Sequence, residues 1–307
     1  MDKKISVVVP THNRKEILKR TILSLLQQSL NPHVYQIIVI DDGSTDGTED
    51  TILRHFGRNL QDPILFLRQP NKGANAARNW GIEHANANII LVINDDAIPG
   101  SNLLELHLQK HLTYPRGNIA VLGNVEWSPE TPATPFLRWL THGGPQFAFH
   151  QIRGQQEVSW RYFVTANVSL KKTFILENGP FDEDFLGAHE DTEFAWRAHK
   201  NGMRLIYCED ALTFHLHPQT LAEVTRKMVL VGEMTHLLLQ KHPELISHFR
   251  KSLRQRWVFR LLINSLGIGF WRKICMELEP HWAIHRLFTE VLRYYYLQGY
   301  FKSECKS

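Results

Sequence analysis

The chain has 307 residues, 43% of them hydrophobic, which is enough apolar material for one large domain or for one domain with a substantial appendage. That composition excludes a disordered chain. The 35 Lys and Arg residues and 31 Asp and Glu residues leave a net charge of +4, which is too small to indicate a nucleic-acid partner.

Cysteine usage and hydropathy indicate the compartment. Three widely spaced cysteines occur, at positions 208, 275 and 305. Their odd number and the lack of a C-x-x-C pattern favour a reducing compartment, so a cytoplasmic protein is expected. The apolar run at 5–9 is too short for a signal peptide, and the run at 257–271 is too short to span a membrane. We therefore expect a soluble protein, or one bound at the inner face of the membrane.

The first half of the chain alternates short β-branched runs with helical patterns, which predicts a mostly parallel sheet with helices on both faces. Strands are predicted at residues 5–9, 37–40, 64–67, 89–93 and 119–125. Helices are predicted between the first two strands, over residues 75–84, and from Ser101.

The second half begins with an irregular stretch at 127–161, which is rich in Pro, Gly and aromatic residues. We expect this stretch to cover a site. A strand at 162–170, a helix at 191–201 and a strand at 204–207 follow. From Leu221 the chain is predicted to be helical to its end.

Acidic residues follow the second predicted strand, in Asp41-Asp42-Gly43-Ser44-Thr45-Asp46-Gly47. The glycine spacing and the acids exclude a phosphate-cradling loop, because carboxylates repel phosphates. Carboxylates do accept hydrogen bonds from ribose hydroxyls or from the N–H groups of a base. The alternative is an Asx turn that caps the next helix, and the cluster alone does not decide between the two.

A second cluster, Asn94-Asp95-Asp96, closes the predicted strand at 89–93. Two adjacent acids at a strand end are costly unless they are paired or coordinated. A divalent cation that bridges them to a diphosphate removes that cost. Ligands of parallel sheets bind at this edge, although adjacent acids also occur in ordinary surface turns.

Two further groups leave alternatives open. His189-Glu190-Asp191 precedes a predicted helix, where a carboxylate either caps the helix or acts as a general base. His215 and His217 follow a strand-like run. If that strand continues, both imidazoles lie on one face, an arrangement found in metal sites and also in ordinary cores and surfaces.

Taken together and in this order, these clusters resemble the family 2 glycosyltransferases, a large group of inverting enzymes with the GT-A fold. The matching motifs span about two-thirds of the chain. They are Val8-Val9-Pro10-Thr11-His12-Asn13-Arg14, Asp41-Asp42-Gly43-Ser44-Thr45-Asp46, Asn71-Lys72-Gly73, Ala77-Arg78-Asn79, Asn94-Asp95-Asp96, Gly179-Pro180-Phe181-Asp182-Glu183 and Glu190-Asp191-Thr192-Glu193-Phe194.

The resemblance implies a GT-A-type α/β fold, with a mostly parallel sheet flanked by helices and a helical C-terminal extension. We predict a catalytic domain at 1–220, divided into a nucleotide-sugar-binding half at 1–125 and an acceptor-binding half at 126–220, and place the extension at 221–307. The residues that the resemblance implies for nucleotide-sugar binding are Pro10, Thr11, His12, Asn13, Asp42, Lys72, Arg78 and Asp95.

The resemblance also implies a metal site and a base. Asp96, with His215 or His217, is expected to bind Mg²⁺ or Mn²⁺, although the family often has Asp where Asn94 stands. A bound cation would neutralise the charge of the leaving nucleoside diphosphate.

Asp191 is expected to be the general base, with Glu190 as its neighbour at the acceptor. A carboxylate can take the proton of an acceptor hydroxyl at neutral pH. A base that faces the anomeric carbon opposite the leaving group gives inversion without an enzyme nucleophile.

The expected reaction is transfer of a sugar from a nucleotide-diphosphate sugar, with a UDP-sugar favoured, to a hydroxyl group of a glycan or glycolipid in polysaccharide or glycolipid synthesis. The alternatives are transfer to a polyprenyl phosphate and a non-catalytic nucleotide-sugar-binding protein. A binding protein has no use for the base, which argues against the latter. A sugar nucleotidyltransferase is disfavoured because its glycine-rich, basic phosphate loop is absent.

The C-terminal segment differs in charge from the rest, because it has 12 Lys or Arg against 5 Asp or Glu from Lys241 onward. One face of a predicted helix contains Ile284, Leu287, Phe288, Val291, Leu292, Tyr294 and Tyr295. That face either docks on the catalytic domain or rests on an anionic membrane that presents a lipid-linked acceptor. In 250–262 basic and apolar positions interleave, which predicts a poor interfacial helix.

Overall fold

The computed structural model describes residues 2–57, 63–132, 134–142, 146, 148–249 and 282–304. They divide into two compact units. Unit 1 contains the described parts of 1–131, 149–186 and 190–217, and unit 2 contains those of 132–148, 187–189 and 218–307. The domain boundary predicted from the sequence lay at residue 220. The contacts group two earlier segments, 132–148 and 187–189, with the helical extension.

Unit 1 contains a sheet in which nine strands can be followed among the described residues. They are β1 (Ile5–Thr11), β2 (Tyr35–Asp42), β3 (Ile64–Gln69), β4 (Ile89–Ile93), β5 (Ala97–Pro99), β6 (Ile119–Trp127), β7 (Glu157–Val158), β8 (Asn167–Lys171) and β9 (Arg204–His215). Their order is β3-β2-β1-β4-β8-β6-β9-β5, with β7 beside β9. Strands β1 to β4 are parallel to one another, whereas β8 is antiparallel to both β4 and β6. The sheet therefore has a parallel half and a mixed half.

Helices connect these strands and make up most of unit 2. Those of unit 1 are α1 (Lys15–Leu26), α2 (Thr48–Phe56), α3 (Ala74–Glu83), α4 (Leu103–Thr113), α6 (Lys172–Asn178) and α7 (Glu190–Lys200). Those of unit 2 are α5 (Pro135–His142), α8 (Leu221–Lys241) and α9 (Trp282–Glu304).

Two predicted strands differ from the observed ones by more than two residues at one end. The strand predicted at 162–170 begins only at Asn167, because Trp160–Tyr162 forms a 3₁₀ turn in which the Phe163 N–H donates to the Trp160 carbonyl (3.0 Å). The strand predicted at 204–207 continues to His215. This extension brings β9 to the edge of the sheet where the acidic clusters lie.

The parallel strands explain how polar residues collect at that edge. All residues of β2 are buried, as expected for a parallel strand that is covered on both faces. The register of β1 and β2 places Thr11 beside Asp41. Since β1, β2 and β4 run in the same direction, their carboxyl ends deliver the residues that follow them to one edge of the sheet.

A bulge in β9 directs its last residues toward this edge. Gly123 of β6 is opposite Cys208, but its neighbour Asn124 is opposite Leu212, so residues 209–211 have no counterpart in β6. The Asn167 side-chain amide holds the bulge by donating to the carbonyls of Asn124 (3.0 Å) and Ala211 (2.8 Å). A side chain at position 123 would collide with this amide, which explains the glycine there.

The same amide begins a buried chain of hydrogen bonds to α4. Because Asn167 Nδ2 donates to two carbonyls, its Oδ1 accepts from His107 Nε2 (2.9 Å). His107 Nδ1 then accepts from Ser169 Oγ (2.8 Å), and Ser169 Oγ accepts from His111 Nε2 (2.9 Å). This arrangement needs the His107 ring neutral, because its Nδ1 accepts a hydrogen bond. Burial lowers the pKa of His107 to about 4 and that of His111 to about 3.

These histidines predict a loss of stability in acid. Their folded-state pKa values lie below the ordinary value near 6.5, so their contribution is complete above about pH 6.5 and falls as the pH drops toward 4. Each histidine should contribute a slope of up to about 1.4 kcal/mol per pH unit to the free energy of unfolding. Urea unfolding between pH 4 and pH 8 measures that slope.

The variant His111→Gln keeps a donor for Ser169 but does not titrate, so its slope should be smaller than that of the wild type. The exposed His84, changed to Gln, is the matched control and should leave the slope unchanged. An identical slope in His111→Gln and the wild type would contradict this explanation.

In unit 2 the long helices α8 and α9 cross at very short distance. Gly232 of α8 lies against the backbone of Tyr296, and Gly299 of α9 lies against the backbone of Val229, so a methyl group at either glycine would collide. Phe288 of α9 packs on the α5 rings of Phe136 (5.2 Å between centroids) and Trp139 (5.1 Å).

These contacts bear on the predicted apolar face of the C-terminal helix. Phe288, Val291 and Leu292 are buried, and Tyr294 and Tyr295 are partly buried. The side chains of Ile284 and Leu287, and all of 250–262, lie outside what the structure describes. Among the described helices, none combines the length and the apolar character that crossing a bilayer requires.

Candidate functional site

Asp95 and Asp96 follow the end of β4, and both are buried. Thr11, the last residue of β1, donates its hydroxyl proton to Asp95 Oδ2 (2.7 Å). Arg14 Nη1 donates to Asp95 Oδ1 (2.9 Å) and to Asp96 Oδ2 (2.8 Å). Thr21 of α1 donates to the Asp95 carbonyl (2.6 Å). The residues after β1 thus position the acids that follow β4.

Burial and neighbouring charges have opposite effects on the pKa values of Asp95 and Arg14. Burial raises the pKa of Asp95 above its ordinary value, and this outweighs the opposing effect of Arg14. For Arg14, burial alone would lower the pKa, but the carboxylates of Asp95 and Asp96 raise it above its ordinary value. Arg14 therefore stays a cation beside the acid pair.

His215, the last residue of β9, lies beside Asp96. Its Nε2 is 3.5 Å from Asp96 Oδ1, and the Trp127 ring meets the imidazole edge-on at 5.1 Å. β5 aligns Ala97 with His215, and the Leu216 N–H donates to the Asp96 carbonyl (2.9 Å). The backbone of β9 is thereby fastened to the segment that carries the acids.

The two histidines are placed differently. β9 ends at His215, so the strand does not continue far enough to put both imidazoles on one face. The His217 backbone N–H donates to His215 Nδ1 (3.3 Å), and metal binding through Nε2 would require this long hydrogen bond to be given up, because a neutral imidazole that binds a cation through Nε2 carries its proton on Nδ1. Metal binding by His217 stays a prediction, whereas His215 has the neighbouring carboxylate.

Asp96 and His215 fit a shared divalent cation. Asp96 Oδ1 is buried and has no hydrogen-bond partner among the described residues. Two ligands held at about 2.1 Å from one ion lie roughly 3 Å apart, which is close to the observed separation of this oxygen and the imidazole nitrogen. In the part of the chain that the structure describes, no group of three or more His, Cys, Asp or Glu could hold a metal alone. Substrate oxygens would complete the coordination, as phosphates do for Mg²⁺.

Asp42, at the end of β2, organises the loop between β3 and α3. Its Oδ1 accepts from the Gln69 side chain and the Lys72 N–H (both 2.8 Å), and its Oδ2 accepts from the Gly73 N–H (2.9 Å). A carboxylate has about four acceptor positions, so about one remains for a ligand. The predicted role of Asp42 at the nucleobase or ribose stays a prediction, and shaping this loop is a second role.

His12 and Asn13 extend this loop region at the end of β1, beyond Pro10 and Thr11. His12 Nδ1 donates to the Asp42 carbonyl (2.8 Å), and its Nε2 accepts from Asn13 Nδ2 (2.9 Å). Asn13 has a φ of 54°, and its Oδ1 accepts from the Thr45 N–H (2.8 Å). Asn tolerates this left-handed backbone better than most residues. The result is a partly exposed polar surface next to Asp42.

Arg78 on α3 is a buried cation. Its guanidinium donates to Asn75 and to Thr165 Oγ1 (3.1 Å) and lies 5.0 Å from the centre of the Phe181 ring. Burial lowers its pKa, and the charges of Asp191 and Glu190 oppose that change. Arg78 is therefore close enough to the predicted base to act on it electrostatically.

Asp191 and Glu190 lie in the first turn of α7, where the helix dipole stabilises carboxylates. Glu193 of the same turn is bound by Arg197, whose Nε donates to Glu193 Oε1 (2.6 Å). His189, which precedes the helix, adopts a left-handed backbone (φ 62°) and bonds Thr235 through its Nε2 (2.8 Å) within unit 2. Glu190 and Asp191 belong to unit 1 with the acid pair.

Two sets of site residues are not predicted by the sequence. The motif that ends at Arg14 implies no role for this arginine, although a basic residue just after β1 can reach acids after β4. Asn75 and Asn79 fasten α3 to the segment after α6, since Asn75 donates to the Asp182 carbonyl (2.7 Å) and Asn79 donates to the Phe181 carbonyl (2.9 Å). Their spacing around Arg78, which puts all three on one helix face, was the available signal.

Comparison with known proteins decides the family. The sequence profile described as glycosyl transferase family 2 matches residues 6–169, which is more than half of the chain. The chain belongs to glycosyl transferase family 2. Residues 6–169 include all of β1 except Ile5, the strands β2 to β4, and both acidic clusters that follow β2 and β4.

Curated relatives of this family 2 chain are glycosyltransferases and polysaccharide synthases. Validoxylamine A glucosyltransferase of Streptomyces hygroscopicus subsp. limoneus is 24% identical over 276 residues, which cover 83% of this chain and 60% of the relative. Chondroitin synthase of Escherichia coli is 27% identical over 270 residues, which cover 78% of this chain and 38% of the relative. The chain thus spans well under two-thirds of the length of these proteins.

Solved structures confirm the predicted GT-A-type fold. The mannosyltransferase PcManGT of Pyrobaculum calidifontis, in complex with GDP-Man and Mn²⁺, matches with a TM-score of 0.69 at 16% identity, over 100% of this chain and 88% of that one. S. aureus TarS 1–349, in complex with UDP, matches with a TM-score of 0.57 at 17% identity, over 99% of this chain and 92% of that one.

Proposed function

We propose that this family 2 chain transfers a sugar from a nucleotide-diphosphate sugar to a hydroxyl group of a glycan or glycolipid, with inversion and with the help of Mg²⁺ or Mn²⁺. The observation that carries the proposal is the acid pair after β4. Thr11 and Arg14 position it, and Asp96 keeps one buried oxygen without a hydrogen-bond partner beside His215 among the described residues.

We assign a separate role in the reaction to each of these residues. Asp96 and His215 would hold the cation, which when bound supplies a Lewis acid for the departing diphosphate. Asp95, held by Thr11 and Arg14, faces the donor's ribose or sugar hydroxyls. Asp191 takes the proton of the acceptor hydroxyl, and the oxygen then attacks the anomeric carbon as the bond to the diphosphate breaks.

For the nucleotide of the donor we favour UDP. TarS is described with UDP, and PcManGT is described with GDP-Man and Mn²⁺. Both support a nucleoside diphosphate, and the latter supports a divalent cation, but they differ in the base. The names of two relatives, a glucosyltransferase and a chondroitin synthase, support transfer of a sugar, and the second supports a glycan product.

A panel of UDP-, GDP- and dTDP-sugars with Mn²⁺ tests the proposal by release of free nucleotide. One donor should release nucleotide slowly alone, by hydrolysis, and faster with a glycan acceptor, by transfer of the sugar to the acceptor. A parallel reaction with a polyprenyl phosphate acceptor separates transfer to a lipid phosphate from transfer to a hydroxyl. Nucleotide binding without release from any donor would support a binding protein and contradict the proposal.

We propose that the reaction takes place in the cytoplasm, because three widely spaced cysteines without a C-x-x-C pattern favour a reducing compartment. We also keep the hypothesis that the basic C-terminal segment touches an anionic membrane. The apolar face of α9 is largely buried, so any attraction to the membrane should come from charge.

The expected result is that the protein co-sediments with vesicles containing anionic lipid at low salt and detaches at high salt. Replacing the Lys and Arg residues of 250–260 with Gln should abolish co-sedimentation. Substitution is a better test than truncation after His242, because truncation removes Gly299 and exposes the helix surface around Gly232. Equal recovery in the supernatant with anionic and neutral vesicles at low salt would reject membrane binding.

A further inference from the structure

One arginine forms ion pairs with both acids that follow β4. The Arg14 Nη1 atom lies 2.9 Å from Asp95 Oδ1 and 2.8 Å from Asp96 Oδ2. The two carboxylate side chains are only 8% and 4% exposed, whereas Arg14 is 39% exposed. A partly exposed cation thus covers two buried negative charges, and its removal would leave them uncompensated.

The four carboxylate oxygens of this pair have unequal environments. Arg14 binds one oxygen of each acid, and Thr11 binds the second oxygen of Asp95. Only Asp96 Oδ1 has no hydrogen-bond partner among the described residues. A divalent cation at Asp96 Oδ1 would therefore lie on the same carboxylate as the Arg14 guanidinium, and the two positive charges would repel each other.

We propose that Arg14 is a counter-ion that opposes metal binding in the absence of nucleotide. Two carboxylates and one guanidinium leave a single net negative charge, which attracts a free divalent cation weakly. The diphosphate adds negative charge and further oxygen ligands, so metal and nucleotide bind in a coupled manner. This inference rests on the proposed function, because it assumes that Asp96 binds the metal.

The consequence for the enzyme is an ordered use of metal. An acid pair without Arg14 would bind a cation more tightly, so a bound cation would dissociate more slowly after the nucleoside diphosphate leaves. With Arg14 present, both acids have a positively charged partner whether or not nucleotide is bound. The residue thus couples release of the product nucleotide to release of the metal.

Mn²⁺ binding to the full chain, measured by the electron paramagnetic resonance signal of free Mn²⁺ without nucleotide, tests the proposal. In Arg14→Met the Kd for Mn²⁺ should fall by about tenfold or more, because a nearby positive charge has been removed. Arg14→Lys, which keeps the charge, should behave like the wild type. Arg20→Met is the matched control, since Arg20 pairs with Glu130 rather than with the acid pair.

A second readout, the change in Tm on addition of Mn²⁺, keeps the test informative if one variant folds poorly. Mn²⁺ should raise the Tm of Arg14→Met, and of the smaller change Arg14→Gln, more than it raises the Tm of the wild type. A Kd in Arg14→Met and Arg14→Gln that equals or exceeds the wild-type value would overturn the inference. The signal must be corrected for Mn²⁺ bound by the nucleotide itself. If neither the wild type nor any variant then binds Mn²⁺, even with UDP or GDP, both the metal-assisted mechanism and this inference are wrong.

Discussion

Asp191→Asn should reduce sugar transfer by about 10²–10⁴-fold while changing the affinity for the donor nucleotide little. The amide keeps the size and shape of the side chain but cannot accept the proton of the acceptor hydroxyl. Steady-state kinetics with a fixed acceptor, together with calorimetric binding of UDP, measures the two effects separately.

Asp182→Asn is a suitable control for this experiment. Asp182 lies in the segment fastened to α3, and its Oδ1 accepts from the Asp184 N–H (3.0 Å), a bond that an amide oxygen preserves. Its activity should stay close to that of the wild type. Near-normal turnover in purified Asp191→Asn would remove Asp191 from the mechanism and turn attention to Glu190.

Chelation with EDTA should stop turnover, and Mg²⁺ or Mn²⁺ should restore it in the wild type. Asp96→Ala should lower kcat by about 10³-fold or more without rescue at ordinary metal concentrations, because stabilisation of the departing diphosphate by a cation is worth several kcal/mol. Initial rates across a titration of metal measure this loss.

Two further variants make this result specific. Asp96→Asn keeps the side-chain volume but loses the charge, and we expect the same failure of rescue. Asp50→Ala removes an exposed acid from the first turn of α2 and should remain fully metal-responsive. Undiminished activity of the wild type in EDTA would rule out the metal-assisted mechanism.

Most of the parallel half of the sheet could be predicted because β1, β2 and β4 are buried on both faces. β4 appears in the sequence as an uninterrupted apolar run, and its observed bounds equal the predicted ones. The acids after β2 and β4 could be assigned to one edge for the same reason, since strand direction determines where those residues emerge. The strand pattern alone therefore brings Asp42 and Asp96 to the same edge of the sheet.

The parts of the fold and of the site that could not be predicted from the sequence depend on contacts between segments that are distant in the chain. The bulge at 209–211 contains two acidic residues and resembles the end of a strand, so the continuation of β9 to His215 was not predicted. Its support comes from Asn167 and His107, which lie far away in the sequence. The grouping of 132–148 with the C-terminal helices likewise rests on tertiary packing, which has no local signature.

The position of β8 between β4 and β6 has a consequence for synthesis of the chain. β4 ends at Ile93, but the strand that covers its open edge begins only at Asn167, and β9 is complete only at His215. While the ribosome is still adding the intervening residues, the apolar β4 presents unsatisfied backbone groups that another nascent chain could join. Slow elongation between these positions should therefore favour aggregation, and a chaperone that shields β4 during translation should raise the yield of active protein.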